Sequence, residues 1–327
     1  MIFNKQLKVG IIGFGSIGKR HAVNLLNLGI KDIVLLRKQS KGNEFGIREV
    51  YVDDDLFSEN LDFILLANPT SKHFEYLQII MMQGLSVLCE KPIVSNLCDL
   101  EKVKEIINGY NKISGTALNM RYHPCYLKVK QLITENKFGK VLSARLFVGQ
   151  YLPDWRPDTD YRNSYSANRK MGGGVTLDLV HEIDLALDLF SRPSGDLLSI
   201  AGKFSDLSIE TEDITEILYR TESNSLVSIH LDYVYRGYKR IIEINCDKGN
   251  IYADFFTNEI RIFGVHNTLI WEESFPKFSR NDMYVDLLKK YLSCINSGSD
   301  FKPSLRDGLN STEIAVKILK QNGLINI

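Results

Sequence analysis

Residues 9–21, VGIIGFGSIGKRH, set glycines at 13, 15 and 18 between an apolar run and a segment of helical periodicity. Few patterns restrict a fold as strongly. A strand must enter a tight turn at Gly13, the backbone must lie open at Gly15, and a helix must start close against the strand at Gly18. The first helical turn then offers unpaired amide donors, at the positive end of the helix dipole, to an anionic group. A second strand follows in DIVLL at 32–36. In that context the spacing identifies a turn that cradles a dinucleotide pyrophosphate, formed by Gly13, Phe14, Gly15, Ser16, Ile17 and Gly18.

The alternation continues. DFILLAN and SVLCE read as strands, HFEYLQIIMMQG as a helix, a further helix spans about 97–107, and KISGTAL is a short strand. Strands alternating with helices of this length make βαβ units on a parallel sheet. Beyond Arg121 the pattern changes to a helix, HPCYLKVKQLITEN, and a strand, VLSARLFVGQ. A long polar loop, YLPDWRPDTDYRNSYSANRK, leads to a glycine-led helix and then to a run of strand-like segments joined by hairpin turns. Two helices near 283–297 and 305–321 close the chain. The expected fold is α/β: a doubly wound Rossmann domain over 1–120, and an α+β domain with an open, mostly antiparallel sheet over 121–327.

Composition narrows the partners. The 327 residues carry 40 basic and 40 acidic side chains, a formal net charge of zero, so neither nucleic acid nor an anionic membrane is expected as a partner. No apolar run approaches the roughly 20 residues of a membrane span. The N-terminus passes straight into the glycine turn and is read as carrying no signal peptide. The five cysteines are scattered without C-x-x-C spacing, which fits a reducing cytoplasm. No His, Cys or Asp cluster has metal-ligand spacing, so no metal is expected.

Two stretches bear on chemistry. Dinucleotide sites for NAD place an acid about 20 residues beyond the glycine turn. Here DIVLLRKQS ends in Arg37 and Lys38, a cationic pair suited to a 2′-phosphate, which favours NADP(H) over NAD(H). The second stretch is GGGVTLDLVHEIDLALDLF at 172–190. It has a plain reading as a packed helix with a solvated acidic face, and a functional one in which Asp178 and His181, at i and i+3, form a catalytic pair on one face.

The fifth strand ends in VLCEKPIV, with Glu90 and Lys91 at the carboxyl edge of a parallel sheet. GIIGFGSIGKRH, ANPTSKHFEYLQIIMMQGLSVLCEKP, GTALNMRYHP, GGGVTLDLVHEID and YVDLLKKYLSCINSG…PSLRDGL, in that order and over nearly the whole chain, resemble the glucose-fructose oxidoreductase/inositol dehydrogenase/rhizopine-catabolism (Gfo/Idh/MocA) family. The resemblance implies NAD(P)-dependent oxidation or reduction of sugars, sugar derivatives or polyols, and a homodimer or homotetramer formed through the C-terminal sheet. It implies Lys91, Asp178 and His181 as the catalytic groups. Many members space the acid and histidine by four residues; here the spacing is three. That spacing, with YLPDWRP…DYR ahead of it, resembles a branch linked to bacterial surface-sugar and nonulosonic acid pathways, for which a nucleotide-sugar is a further candidate substrate.

In this reading His181 accepts the hydroxyl proton, Asp178 orients and stabilises it, and Lys91 stabilises developing alkoxide charge. Asn68, Pro69, Thr70, His73, Glu90, Lys91 and Asn119 join the glycine turn around the cofactor. Arg121, Tyr122, Trp155, Arg156, Tyr161 and Arg162 are candidates for the substrate, through stacking and anion pairing. His21, His123 and His230 receive no role. Two alternatives stand beside the sugar oxidoreductase: a nucleotide-binding regulator without turnover, and a reductase of a non-sugar carbonyl.

Overall fold

Each short apolar run of the first third is a strand buried on both faces, as a parallel sheet covered by helices requires. The elements are β1 (Lys8–Ile12), α1 (Ser16–Asn27), β2 (Asp32–Leu36), β3 (Arg48–Val50), α2 (Asp53–Phe57), β4 (Phe63–Leu66), α3 (His73–Met82), β5 (Ser86–Cys89), α4 (Leu97–Ile107) and β6 (Ser114–Thr116). The computed structural model describes residues 7–39, 42–155 and 157–325. The strands pair in parallel in the order β3-β2-β1-β4-β5-β6. Strand order reverses between β1 and β4, and in doubly wound sheets the crevice at such a point receives the ligand. The sequence pattern had not indicated β3 and α2, for which three residues and a single buried Leu56 leave little periodicity to read.

The following elements are α5 (Pro124–Thr134), β7 (Val141–Gln150), α6 (Val175–Asp178), α7 (Val180–Phe190), β8 (Leu198–Gly202), β9 (Ile214–Arg220), β10 (Leu226–Asp232), β11 (Tyr238–Cys246), β12 (Gly249–Asp254), β13 (Glu259–Phe263) and β14 (Leu269–Ser274), then α8 (Asp282–Ser297) and α9 (Leu305–Gln321). Strands β7 to β14 form a sheet of order β14-β13-β12-β11-β7-β10-β9-β8, antiparallel except where β10 runs parallel to β7. Burial alternates along β9, as expected of a sheet with one covered face. The covering elements are α6 and α7, which pack over β7, β9 and β10.

The chain divides into two compact units, Met1–Asn119 with Asn281–Thr312, and Met120–Arg280 with Glu313–Ile327. The second break differs from the contiguous division 1–120 and 121–327. Helix α8 folds with the first unit because Tyr291 lies edge-on to Phe63 at 5.1 Å and to Phe301 at 5.0 Å, while Asn281 and Asn24 exchange side-chain hydrogen bonds. Among the described residues, no helix is long and apolar enough to cross a membrane.

The glycine-led helix is two helices. Leu179, at φ −99° and ψ 25°, interrupts it between α6 and α7. Its acidic face is not solvated either. Asp184 and Glu182 are buried, and both are paired with arginines. A helical wheel cannot register a cation supplied from another element.

Candidate active site

In the first unit the glycine turn joins β1 to α1 at the point where strand order reverses. Gly13 has φ +93°, and a Cβ there would lie 2.5 Å from the backbone nitrogen of Asn68. At Gly18 a Cβ would lie 2.1 Å from the carbonyl oxygen of Gly13, so this glycine permits the close start of the helix. Gly15 faces open space. It N-caps α1, whose first turn has no capping side chain and no acid. Beside the turn, Oδ1 of Asn68 is buried with no hydrogen-bond partner among the described residues. An open glycine, an uncapped helix start and an orphaned acceptor fit a nucleotide that bridges β1 and β4.

Arg37 follows β2, over the ring of Phe14 at 5.3 Å. Its guanidinium pairs with Glu49 at 2.8 Å, and Asn43 donates to the same carboxylate oxygen at 2.9 Å. Asn43, then Arg37, hold Glu49 below the usual carboxylate range against the opposing effect of burial. The pair Arg37 and Lys38 therefore does not present two uncompensated charges. Lys38 is exposed, and Arg37 is met by an anion contributed by β3.

Past β4, Pro69 is exposed and Thr70 buried. His73 is only 1% exposed, and its two ring nitrogens lie 3.0 Å from the carbonyl of Pro92 and 2.9 Å from that of Asn68. It thus ties the loop after β4 to the loop after β5. Burial pushes its proton affinity down. Glu90 precedes Lys91 at the end of β5 and is bound by His21, Nε2 to Oε1, at 2.7 Å. Its other oxygen accepts from the Lys91 backbone nitrogen at 3.2 Å. Asn119 is buried and directs Nδ2 at the Met283 sulfur.

In the second unit the three glycines serve packing. Gly172 has φ +92°, a Cβ at Gly173 would lie 2.1 Å from the carbonyl oxygen of Tyr165, and Gly174 has φ +120°. The glycines admit the preceding loop and the carboxylate of Glu212. Asp178 ends α6 and accepts a hydrogen bond from the Tyr233 hydroxyl at 2.6 Å. Burial, then the Asp178 carboxylate, push that hydroxyl well above its ordinary range, so it remains a donor. His181, 7% exposed, lies in the first turn of α7.

Arg121 binds Asp184 through Nε at 2.9 Å and Nη2 at 2.7 Å, and Asp188 through Nη1 at 2.9 Å. Its fork holds α7, and this differs from the expected contact with substrate. Tyr122 closes the same short 3₁₀ turn. Trp155 donates Nε1–H to the Gln150 carbonyl and packs edge-on against Tyr233 at 5.2 Å. Tyr161 accepts from the Ser208 amide, and exposed Arg162 pairs with Asp160. Arg156 lies outside the described residues. Tyr233, Glu212 and the His21–Glu90 pair were missed because their partners are far away in sequence.

Residues 7–117 match the model of an oxidoreductase family with an NAD-binding Rossmann fold, and residues 126–252 match the GFO/IDH/MocA C-terminal domain. The chain is 26% identical to the myo-inositol 2-dehydrogenase of Thermotoga maritima over 92% of each chain, and 21% identical to the inositol 2-dehydrogenase of Rhizobium meliloti over 94% of each. A levoglucosan dehydrogenase in complex with NADH and levoglucosan superposes with a TM-score of 0.86 at 17% identity, over 98% of each chain. That last likeness is one of fold.

Proposed function

The chain belongs to the GFO/IDH/MocA oxidoreductase family, and on that premise we propose that it transfers hydride between NAD(H) and a CH–OH carbon of a polyol, a sugar or a sugar derivative. The observation that carries the reading is Asp178, held by a buried tyrosine three residues before His181, in a chain whose other unit carries Lys91 two residues beyond the end of β5. The likeness to two inositol dehydrogenases supports the substrate class.

Bound nicotinamide supplies the hydride acceptor at its ring carbon. The protein residues handle the proton. His181 takes it from the substrate hydroxyl, because an imidazole titrates near neutrality. Asp178, kept an acceptor by Tyr233, orients the imidazole and stabilises its cation. Lys91 binds the substrate oxygen and stabilises alkoxide charge as it develops. In reduction the same groups return the proton. Around the cofactor, the glycine turn holds the pyrophosphate, and Asn68, Pro69 and Thr70 line the nicotinamide side. Tyr122, Trp155, Arg156, Tyr161 and Arg162 remain candidates for the substrate, whereas Arg121 and His73 brace the loops that carry the site.

Pairing of Arg37 with Glu49 supports NAD(H) as the cofactor held, with NADP(H) preference latent in Arg37 and Lys38. The face of the large sheet opposite α6 and α7 exposes Leu198, Ile200 and Leu226, which supports a homo-oligomer through that face, and the scattered cysteines support a reducing cytoplasm. The test is a panel of polyols, sugars and nucleotide-sugars with NAD⁺, followed by nicotinamide absorbance. Turnover by the wild type that is lost in Lys91→Ala supports the reading. Nucleotide binding without turnover across the panel favours the regulator.

A further inference from the structure

Glu212 is fully buried, and the turn carrying Asp178 is built around its carboxylate. Oε1 accepts from the Thr176 amide at 3.1 Å, and Oε2 accepts from Arg169 Nη1 at 3.2 Å. The Glu212 carbonyl accepts from the Val175 amide at 3.3 Å. A Cβ at Gly174 would stand 2.4 Å from Oε1, so glycine is a condition for seating this carboxylate. The turn closes through the Asp178 amide, which donates to the Gly174 carbonyl at 2.9 Å. Asp213, the next residue, accepts from the Tyr233 amide at 2.9 Å, and Tyr233 holds the Asp178 carboxylate. The segment Glu212–Asp213 thus fixes both the turn that carries the acid and the tyrosine that grips it.

An ordinary cap does not account for this. A neutral oxygen satisfies a helix-start amide, whereas a buried carboxylate carries a desolvation cost that one partly exposed arginine only partly offsets. Burial pushes the Glu212 carboxyl up, with Arg169 opposing.

We propose that Glu212 is a positioning residue for the Asp178–His181 pair, acting through the Gly174–Asp178 turn and never touching the reacting atoms. This rests on the catalytic reading of that pair. Among the described residues, the charged and titratable groups against the turn include Arg169, which faces Glu212, Tyr233, which faces Asp178 and feels the Glu212 charge, and Tyr165, which donates to the Gly172 carbonyl.

The chain has six histidines, so side-chain NMR on the full-length protein resolves His181, assigned by loss of its signal in His181→Asn. Displacing Asp178 removes the anion that supports the imidazolium. Glu212→Ala is therefore expected to lower the His181 midpoint by roughly half a pH unit or more. Glu212→Gln, which keeps an acceptor for the Thr176 amide, is expected to restore it. His123 and His230, in the same unit, report that the unit is folded. If Glu212→Ala does not fold, Glu212→Asp replaces it; its shorter carboxylate stops short of the Thr176 amide, and the same lowering is expected. An unchanged His181 midpoint in a folded Ala or Asp variant, or a folded Gln variant that does not restore it, overturns the proposal. These titrations need no substrate. Turnover that survives in His181→Asn would instead defeat the catalytic reading.

Discussion

Tyr233 donates its hydroxyl to Oδ2 of Asp178 at 2.6 Å across 55 residues of chain. A buried donor committed to one carboxylate oxygen fixes which lone pairs that acid has left to offer. Tyr233→Phe keeps the ring that packs against Trp155 and removes the hydroxyl with its bonds to Asp178 and Ser166. The expected loss in kcat is about tenfold or more, the equivalent of about 1.4 kcal/mol. NADH affinity should stay at the wild-type value, and a comparison of kcat with nucleotide Kd checks both.

How far the site was legible depended on the range of its contacts. The glycine turn is read from six neighbouring positions, because its chemistry is local and backbone-driven. The spacing of Asp178 and His181 left two readings open, and only the family resemblance favoured the catalytic one. Tyr233 was not legible, since a tyrosine in a β-strand run looks like any other strand residue until the sheet brings it beneath α6. The ion pairs of Asp184 and Asp188 were hidden for the same reason. A periodic acidic face looks alike whether water or Arg121 lies against it. Glu49 escaped notice because β3 is too short to carry a pattern.

The proposed cofactor preference makes that last residue a direct test. Glu49→Gln removes the anion opposing Arg37 and keeps an amide of similar shape beside Asn43. NADPH affinity should rise several-fold relative to NADH, by analogy with other close charge pairs. Arg37→Ala should lower NADPH affinity more than NADH affinity. Parallel titrations of the two nucleotides on the three proteins measure both effects.

Arg121 ties α7 through two aspartates, one of them fully buried. Arg121→Met leaves Asp184 without that cation and is expected to cost about 3–5 kcal/mol of stability by denaturant unfolding. Burial opposes ionisation of Asp188, but Arg121, Lys130 and Tyr126 hold its carboxyl below the usual range. For a depressed acid, the stabilisation is present above the unfolded-state value and is lost as pH falls through the folded one. The wild type should therefore lose part of its advantage over Arg121→Met below about pH 4.

His123 gives the opposite test near neutrality. Burial, then Arg240, push its imidazole from 6.5 down to about 3, and it sits between the rings of Phe255 and Phe278. An imidazole that stays neutral in the fold stabilises fully above the unfolded-state value. The stabilisation is lost as pH falls from there toward the folded one. Stability should decline by up to about 1.4 kcal/mol per pH unit below about 6.5 from this group. His123→Gln should flatten that part of the curve, as measured by denaturant midpoints across pH.

The glycine turn is expected to hold the nucleotide through a helix start left open at Gly15. Titration with NADH by protein-to-nicotinamide energy transfer, on the wild type and Gly15→Ala, tests it most directly. Among the described residues, a Cβ at Gly15 meets no atom within 4 Å beyond its chain neighbours, so the variant should fold and keep its thermal midpoint. Saturable NADH binding by the wild type, weakened about tenfold or more in Gly15→Ala, is the expected result. Equal affinity in the two proteins, or no binding by a wild type stripped of any retained nucleotide, would contradict it.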